Sequence, residues 1–165
     1  MPKDDIRTDV YGTLDETVSA LGVARAAGLV AEVEEIVVRI QREMFVAGAE
    51  LATTEGNETK LKAGISKVIP DMTARAETDI DSLLDRHPLP QEFLLPGESL
   101  GAAALDLARS ILRRAERLAV TMARNGLIRD PEVLRYLNRA SDLLYACARF
   151  DEAERGRTAK PSRER

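Results

Sequence analysis

Apolar residues recur at intervals of three and four along almost the whole chain, and they do not alternate as they would in a half-buried strand. This spacing gathers apolar side chains on one face of a helix, and the pattern breaks where Gly and Pro cluster. Aromatic residues make up only 4% of the chain and Trp is absent, which is typical of helices packed through small and branched side chains. We therefore predict an all-α protein with five helices.

Capping and turn residues predict where the five helices begin and end. Thr13 is a suitable N-cap for the first helix because Glu16, three residues later, completes a capping box. Ser99 suits the start of the fourth helix, and Asp130 followed by Pro131 suits the start of the fifth. The predicted helices span about residues 13–28, 33–51, 66–85, 99–124 and 130–154.

Residues 87–99, HPLPQEFLLPGES, interrupt this helical pattern. Three prolines and one glycine in this stretch exclude a helix and predict an ordered loop. The loop is nevertheless apolar at Phe93, Leu94 and Leu95. Such a loop either packs these side chains into the core or uses them to line a pocket.

Length and composition predict one domain. A chain of 165 residues with 44% hydrophobic content can bury one core, so we expect residues 1–155 to form a single up-and-down helical bundle. Residues 156–165, GRTAKPSRER, are expected to be a charged, mobile tail. The net charge of −4 argues against nucleic acid or an anionic membrane as a partner. With no apolar leader, no 18-residue apolar run and a single cysteine, Cys147, the chain is expected to be cytoplasmic.

Common metal and nucleotide signatures are absent from the sequence. A di-iron site in a helical bundle needs Glu-x-x-His pairs, but the only histidine is His87, in the proline-rich loop. There is no phosphate loop, no dinucleotide fingerprint and no Cys/His cluster with zinc spacing. We therefore predict no metal ligands from the protein.

The fourth helix carries a ladder of arginines within and after the segment RSILRRAER. On a helical wheel the ladder lies opposite an apolar stripe centred on Ile111 that includes Leu107 and Leu118. Lys is absent from this helix, and Arg is preferred where planar contacts to phosphate or carboxylate are made. The alternative is a solvated face whose charge is balanced by acidic neighbours. The residues on the arginine side are Asp106, Arg109, Arg113, Glu116, Arg117 and Arg124.

The fifth helix has a polar strip between two apolar flanks. A helix with two apolar flanks packs on two sides, so its polar strip is either a buried binding site or a seam between subunits. An internal network that fixes helix register is the alternative. On the first helix, Asp15 and Glu16 are acidic partners of suitable length for the arginines. The strip consists of Arg135, Asn138, Asp142, Tyr145 and Arg149.

Four segments together resemble the PduO-type ATP:cob(I)alamin adenosyltransferases, a family of trimeric helical bundles. They are DDIRTDVYGTLDE, RIQREMFVAGAELAT, FLLPGESLGAAALDLARSILRRAER and YLNRASDLLYACAR, in this order and spacing. The resemblance implies a five-helix bundle that assembles as a homotrimer and binds ATP, with Mg²⁺, and a corrinoid at each subunit interface. It implies transfer of the 5′-deoxyadenosyl group of ATP to the reduced cobalt of cob(I)alamin or a related corrinoid, with release of triphosphate. The resemblance also suggests that a B12-dependent acceptor enzyme or a corrinoid reductase is a partner.

The resemblance further implies roles for individual residues. Arg113 and Arg117 match arginines beside ATP, and Asp15 matches the aspartate that pairs across the interface with the residue at Arg113. Asn138 matches the asparagine of the nucleotide site, and Phe93 matches the aromatic residue against the lower face of the corrin ring. The remaining residues expected to support binding are Arg7, Glu116 and Asp142.

Departures from the family pattern motivate an alternative. The family's T-K-x-G-D-x-G segment, which wraps the triphosphate, is expected to be absent, because the sequence begins after it and no other segment replaces it. The family's LPGG reads LPGES, with Glu98, and its usual histidine reads Asp106. Acidic residues near a polyanion weaken its binding. The alternatives are therefore a non-catalytic corrinoid-binding or accessory protein and a purely structural trimer.

Overall fold

The computed structural model describes residues 5–163 and consists mainly of five α-helices. A short 3₁₀ turn, Glu58–Lys60, precedes the third helix, and two strands of two residues each pair antiparallel. This architecture confirms the prediction of an all-α, five-helix bundle. The helices are α1 Ile6–Ala26, α2 Ala31–Ala52, α3 Pro70–Arg86, α4 Leu100–Arg124 and α5 Glu132–Glu154, and the strands are β1 Leu94–Leu95 and β2 Lys160–Pro161.

Helix α5 is the central element of the bundle. It packs against α4, α3 and α2, while α1 packs against α4 and α2. Its side chains are buried on opposite sides, including Tyr136 and Leu137, which are fully buried. This agrees with the two apolar flanks in its sequence. Within residues 5–163 no helix has both the length and the apolar character needed to cross a bilayer.

The prediction that Thr13 caps the first helix is wrong. Helix α1 begins earlier, at Ile6, and its N-cap is Asp5, whose side chain accepts a hydrogen bond from the Arg7 N–H at 2.9 Å. The Thr13 hydroxyl instead donates to the Asp9 carbonyl oxygen at 2.7 Å, inside the helix. A buried Thr that bonds to the preceding turn leaves the helix free to extend toward its N-terminus.

The predicted start of the third helix is also wrong. Helix α3 begins at Pro70 rather than near Ser66, and Pro70 occupies the first helical position. Ile69 is extended, as a residue before proline must be. The Val68 N–H is held by the Glu50 carboxylate at 2.6 Å, which keeps this segment out of a helix.

The predicted starts of α4, at Ser99, and of α5, at Asp130, lie one and two residues before the helices begin in the structure. The Ser99 side chain accepts a hydrogen bond from the Ala102 N–H at 3.0 Å, so the predicted N-cap of α4 is confirmed. The Asp130 side chain accepts from the Glu132 N–H at 3.0 Å and thereby caps α5.

The predicted centre of the α4 core stripe is displaced. Leu107, expected in the core, is 58% exposed, whereas Leu105 and Leu112 are fully buried. Ile111 and Leu118 are only partly buried. Because α4 has apolar residues over a wide arc, its sequence alone does not determine which part of that arc faces the core.

A buried carboxylate connects three chain segments at one end of the bundle. Asp151 is fully buried and accepts a hydrogen bond from the Val30 N–H at 2.8 Å, between α1 and α2. It also accepts from the Ser99 hydroxyl at 3.4 Å and from the Arg155 guanidinium at 2.8 Å. These bonds connect the start of α4 and the α1–α2 turn to the last turn of α5.

Helices α1 and α4 approach closely at the same end. A Cβ atom added to Gly101 would lie 2.6 Å from the Gly28 carbonyl oxygen, a distance that no real Cβ tolerates. Farther along the pair, Glu16 of α1 forms an ion pair with Arg114 of α4. The two helices therefore run antiparallel and in contact along much of their length.

Candidate functional site

Three of the expected site residues meet between α4 and α5. The Asn138 side-chain amide donates to the Glu116 carboxylate at 2.9 Å, and the other oxygen of that carboxylate lies 4.0 Å from the Arg113 guanidinium. Glu116 is largely covered, whereas the Arg113 side chain is 43% exposed. Glu116 thus orients an amide and a guanidinium on one surface, where their free donors can receive an anion.

Two expected site residues do not join this cluster within one chain. Asp15 is exposed on α1 and has no hydrogen-bond or ion-pair partner among residues 5–163. Its neighbour Glu16 instead pairs with Arg114. Arg117 is exposed on the same helix as Arg113. The expected Asp15–Arg113 pair across an interface therefore stays a prediction, because a single chain contains no interface.

Asp142 has a different neighbour from the one expected. Its carboxylate accepts from the Arg139 guanidinium at 3.0 Å, and Arg139 also lies 3.4 Å from Glu77 of α3. In the isolated chain Asp142 therefore forms its ion pair with Arg139, outside the arginine ladder. Its expected support for the arginines stays a prediction.

Arg7 lies far from the loop that carries Phe93. It lines a cavity of about 320 Å³ between the N-terminal end of α1 and the connection from α4 to α5, together with Lys67 and Arg129. Its guanidinium is 3.5 Å from Asp5. Because the 25 residues of α4 span roughly 37 Å, this cavity and the Phe93 loop occupy opposite ends of the bundle.

Phe93 stands at the mouth of a second cleft, of about 480 Å³, between residues 90–96, α4 and α5. Its residue surface is 87% exposed, so the loop does not pack it into the core. Of the two interpretations of the apolar loop, the pocket-lining one describes Phe93. The cleft is lined on its helical side by Asp106, Arg109, Ser110, Tyr145 and Arg149.

The helical wall of the cleft is a buried polar cluster. Arg149 is only 8% exposed and pairs with Asp106 at 2.5 Å and with Glu152 at 2.9 Å. Burial raises the pKa of the Asp106 carboxyl above its ordinary value, and the facing Arg149 guanidinium opposes that shift. The cluster therefore holds opposite charges together in a largely dry wall.

Tyr145 lies between two guanidinium groups of this wall. The central carbons of Arg109 and Arg149 are each 5.1 Å from the centre of its ring, which is cation–π distance. Arg109 forms no ion pair among residues 5–163, and its Nε atom is buried without a hydrogen-bond partner. The sequence placed Arg109 in the arginine ladder and Tyr145 and Arg149 in the polar strip, as members of candidate sites, but it assigned no individual role to any of the three. Their shared position on the α4 and α5 wheels was the available signal.

The C-terminal residues bind the backbone of the Phe93 loop. The Ser162 N–H donates to the Phe93 carbonyl oxygen at 2.7 Å, and β2 pairs with β1 beside it. The tail expected to be mobile thus has a defined partner as far as Ser162, while its mobility stays a prediction. Residues 5–163 contain no group of three or more His, Cys, Asp or Glu side chains placed to hold a metal ion.

The structure is therefore a helical bundle with a cluster of guanidinium and amide donors between α4 and α5 and a separate cleft beside Phe93. The chain belongs to the cobalamin adenosyltransferase family, whose model matches residues 1–151. The match covers every segment on which the sequence resemblance rests.

Relatives and solved structures agree with this assignment. A corrinoid adenosyltransferase of Citrobacter freundii is 41% identical over 155 residues, covering 91% of this chain and 83% of the relative. A corrinoid adenosyltransferase of Bacillus subtilis is 38% identical over 163 residues, covering 93% of this chain and 78% of the relative. A variant of the PduO-type ATP:corrinoid adenosyltransferase from Lactobacillus reuteri, complexed with cobalamin and ATP, superposes with a TM-score of 0.87 at 29% identity, covering 99% of this chain and 90% of that chain.

Proposed function

We propose that this protein transfers the 5′-deoxyadenosyl group of ATP to the reduced cobalt of a corrinoid. Family membership supports the reaction class. The observation that carries the proposal for this chain is the cluster of Arg113, Glu116 and Asn138, which presents fixed cationic and amide donors on one surface. Such donors suit a nucleotide polyphosphate.

The reaction needs positioning and charge stabilisation more than proton transfer. Cobalt(I) supplies the electron pair that forms the bond to the 5′ carbon, and the bond from that carbon to the phosphate oxygen breaks. Triphosphate leaves with the electron pair of the broken bond. Arg113 and Arg117 would stabilise the developing charge on this leaving group, and Asn138 would orient the nucleotide. No general base is required because the nucleophile carries no proton.

The cleft beside Phe93 suits the corrinoid. The exposed Phe93 ring offers an apolar surface to the lower face of the corrin, which keeps a lower ligand from the cobalt. Donors and acceptors in the opposite wall, including Arg109 and Asp106, can contact amide groups at the corrin periphery. The cleft thus combines an apolar face with polar groups that fix orientation.

A complete site requires a neighbouring chain in this proposal. Asp15 is exposed and has no partner among the described residues, and the Arg113 side chain is partly exposed, so the two can pair between protomers of a homotrimer. Arg7, at the far end of the bundle, would reach the nucleotide of a neighbour. Mg²⁺ would accompany the phosphates of ATP, and the reaction would take place in the cytoplasm. A corrinoid reductase would supply the substrate or a B12-dependent enzyme would take the product.

Absorbance spectroscopy of reduced cobalamin with ATP and Mg²⁺ tests the proposal. We expect adenosylcobalamin to form with the wild-type protein and to be undetectable with Arg117→Ala. Arg124→Ala is the matched control, because Arg124 is an exposed arginine at the last position of α4. Corrinoid binding without turnover by the wild-type protein would instead favour the non-catalytic alternative.

A further inference from the structure

The Phe93 ring has little support from its own side-chain contacts. The residue is 87% exposed, and its neighbour Leu95 is 49% exposed. Rotamers of exposed side chains interconvert quickly, so the ring is directed mainly by where the backbone places its Cα–Cβ bond. Whatever holds the backbone of residues 90–98 therefore also determines where the ring lies.

Residues 157–162, here called the C-terminal strap, hold that backbone at the mouth of the cleft. The Ser162 N–H donates to the carbonyl oxygen of Phe93 itself, at 2.7 Å. The next residues of the loop pair antiparallel with the strap, Leu94 opposite Pro161 and Leu95 opposite Lys160.

The other end of the strap is fixed to α5 beside the cleft wall. The Arg157 N–H donates to the Glu152 carbonyl oxygen at 2.9 Å, and the Arg157 guanidinium donates to the carbonyl oxygen of Glu98. The Glu152 side chain pairs with Arg149, which lines the cleft. The strap therefore connects the polar wall of the cleft to the loop at its mouth.

We propose that the C-terminal strap is a positioning element that holds Phe93 against the lower face of the bound corrinoid. This inference rests on the proposed adenosyl transfer. Without the Ser162–Phe93 bond the loop and its ring can move away from the cleft, and a lower ligand can then return to the cobalt. The strap thus acts on the corrinoid half of the reaction and not on the nucleotide half.

Ser162→Pro tests the inference because proline lacks the N–H that donates to Phe93. Pro161 already lies in a strand, the conformation that a residue before proline requires. Ser162→Ala keeps the N–H and is the matched control. For Ser162→Pro we expect kcat/KM for the corrinoid to fall about five- to tenfold, which corresponds to the loss of one backbone hydrogen bond. The KM for ATP and the melting temperature should stay at wild-type values.

A spectroscopic measurement separates positioning from a general loss of structure. Electron paramagnetic resonance of protein-bound cob(II)alamin with ATP reports nitrogen coordination through superhyperfine splitting. We expect this splitting to increase in Ser162→Pro and in a second variant that lacks residues 159–165. Absence of turnover in the wild-type protein would refute the proposed function, whereas wild-type turnover with unchanged spectra in both variants would overturn the role of the strap alone.

Discussion

Glu116 is the residue that organises the anion-receptive surface. Its carboxylate accepts a hydrogen bond from the Asn138 amide at 2.9 Å and lies 4.0 Å from the Arg113 guanidinium, so one side chain contacts two proposed ligand-binding groups from two helices. The family resemblance implied that Arg113, Glu116 and Asn138 belong to one site, whereas the sequence pattern alone predicted only that Arg113 and Glu116, one helical turn apart, are neighbours. Side chains on one turn of one helix are neighbours whatever the tertiary packing.

Pairs between helices were less accessible to sequence reasoning. Arg149 and Asp106 are 43 positions apart in sequence, and their contact depends on the rotation of α4 about its axis. The apolar stripe was predicted around Ile111, whereas Leu105 and Leu112 are the buried leucines. The rotation of α4 about its own axis therefore decides which of its polar side chains face α5.

Replacement of Phe93 by Ala should impair the use of the corrinoid selectively. We expect kcat/KM for the corrinoid to fall roughly 10- to 100-fold, equivalent to the ~1.5–3 kcal/mol that covering a Phe side chain contributes. The KM for ATP should not change. Leu95→Ala, in the same loop but outside the cleft lining, should behave like the wild type in steady-state assays. Equal activity of the Phe93→Ala and Leu95→Ala variants would contradict a role for Phe93 in corrinoid binding.

Asp106 should make stability depend on pH. Burial raises the pKa of its carboxyl. The pKa of Asp106 is then higher in the folded state than in the unfolded state, so the folded state binds the proton more tightly. The contribution of this protonation to the free energy of unfolding therefore grows as pH falls through the folded pKa. Urea titrations between about pH 7 and about pH 3 should show wild-type stability rising relative to Asp106→Asn as pH decreases. The opposite trend would mean that the pairing with Arg149 outweighs the effect of burial.

At the scale of elements, the helices were predicted well wherever a cap is local. Ser99 and Asp130 cap α4 and α5 as expected because a side chain and a nearby N–H suffice for the bond. The start of α1 was missed because Thr13 also fits inside a helix. The pairing of β1 with β2 was not predicted, since two-residue strands leave no alternating pattern and their partners are far apart in sequence.

The contact between α1 and α4 at Gly101 should not tolerate a methyl group. A Cβ atom there would lie 2.6 Å from the Gly28 carbonyl oxygen, so Gly101→Ala should lower the free energy of unfolding by about 1–3 kcal/mol. Gly22→Ala is the control, since its Cβ would meet only Gln41, at 3.8 Å. Removing a glycine from a helix interior should there raise stability by about 0.5–1 kcal/mol. Urea unfolding at one fixed protein concentration measures both, and equal effects would contradict the close approach.

At the scale of the whole molecule, α1 and α4 each expose groups that their own chain does not satisfy. Asp15 has no partner among residues 5–163, although the adjacent Glu16 pairs with Arg114. Leu100 and Leu107 of α4 are 71% and 58% exposed. Large exposed apolar side chains beside unpaired charges are typical of surfaces that another protein chain covers.

Asp15 and Glu16 provide a matched test of assembly. We expect Asp15→Asn to shift the molar mass measured by light scattering from trimer toward monomer as the protein is diluted. Glu16→Gln removes only a pair within one chain, so it should leave the molar mass unchanged. A wild-type protein that is monomeric at all concentrations would contradict the proposed trimer, and identical behaviour of the two variants would contradict the role of Asp15.

The separation of Asp15 from Arg113 within one chain has a genetic consequence. If each catalytic centre takes its aspartate from one protomer and its arginine from the next, a subunit defective at Asp15 and a subunit defective at Arg113 are damaged in different halves of the centre. In a mixed trimer of two such inactive subunits, one junction combines the two defective residues. Another junction combines the intact Asp15 of one subunit with the intact Arg113 of the other, so that centre is complete. Two null alleles at these positions would therefore complement each other in one cell.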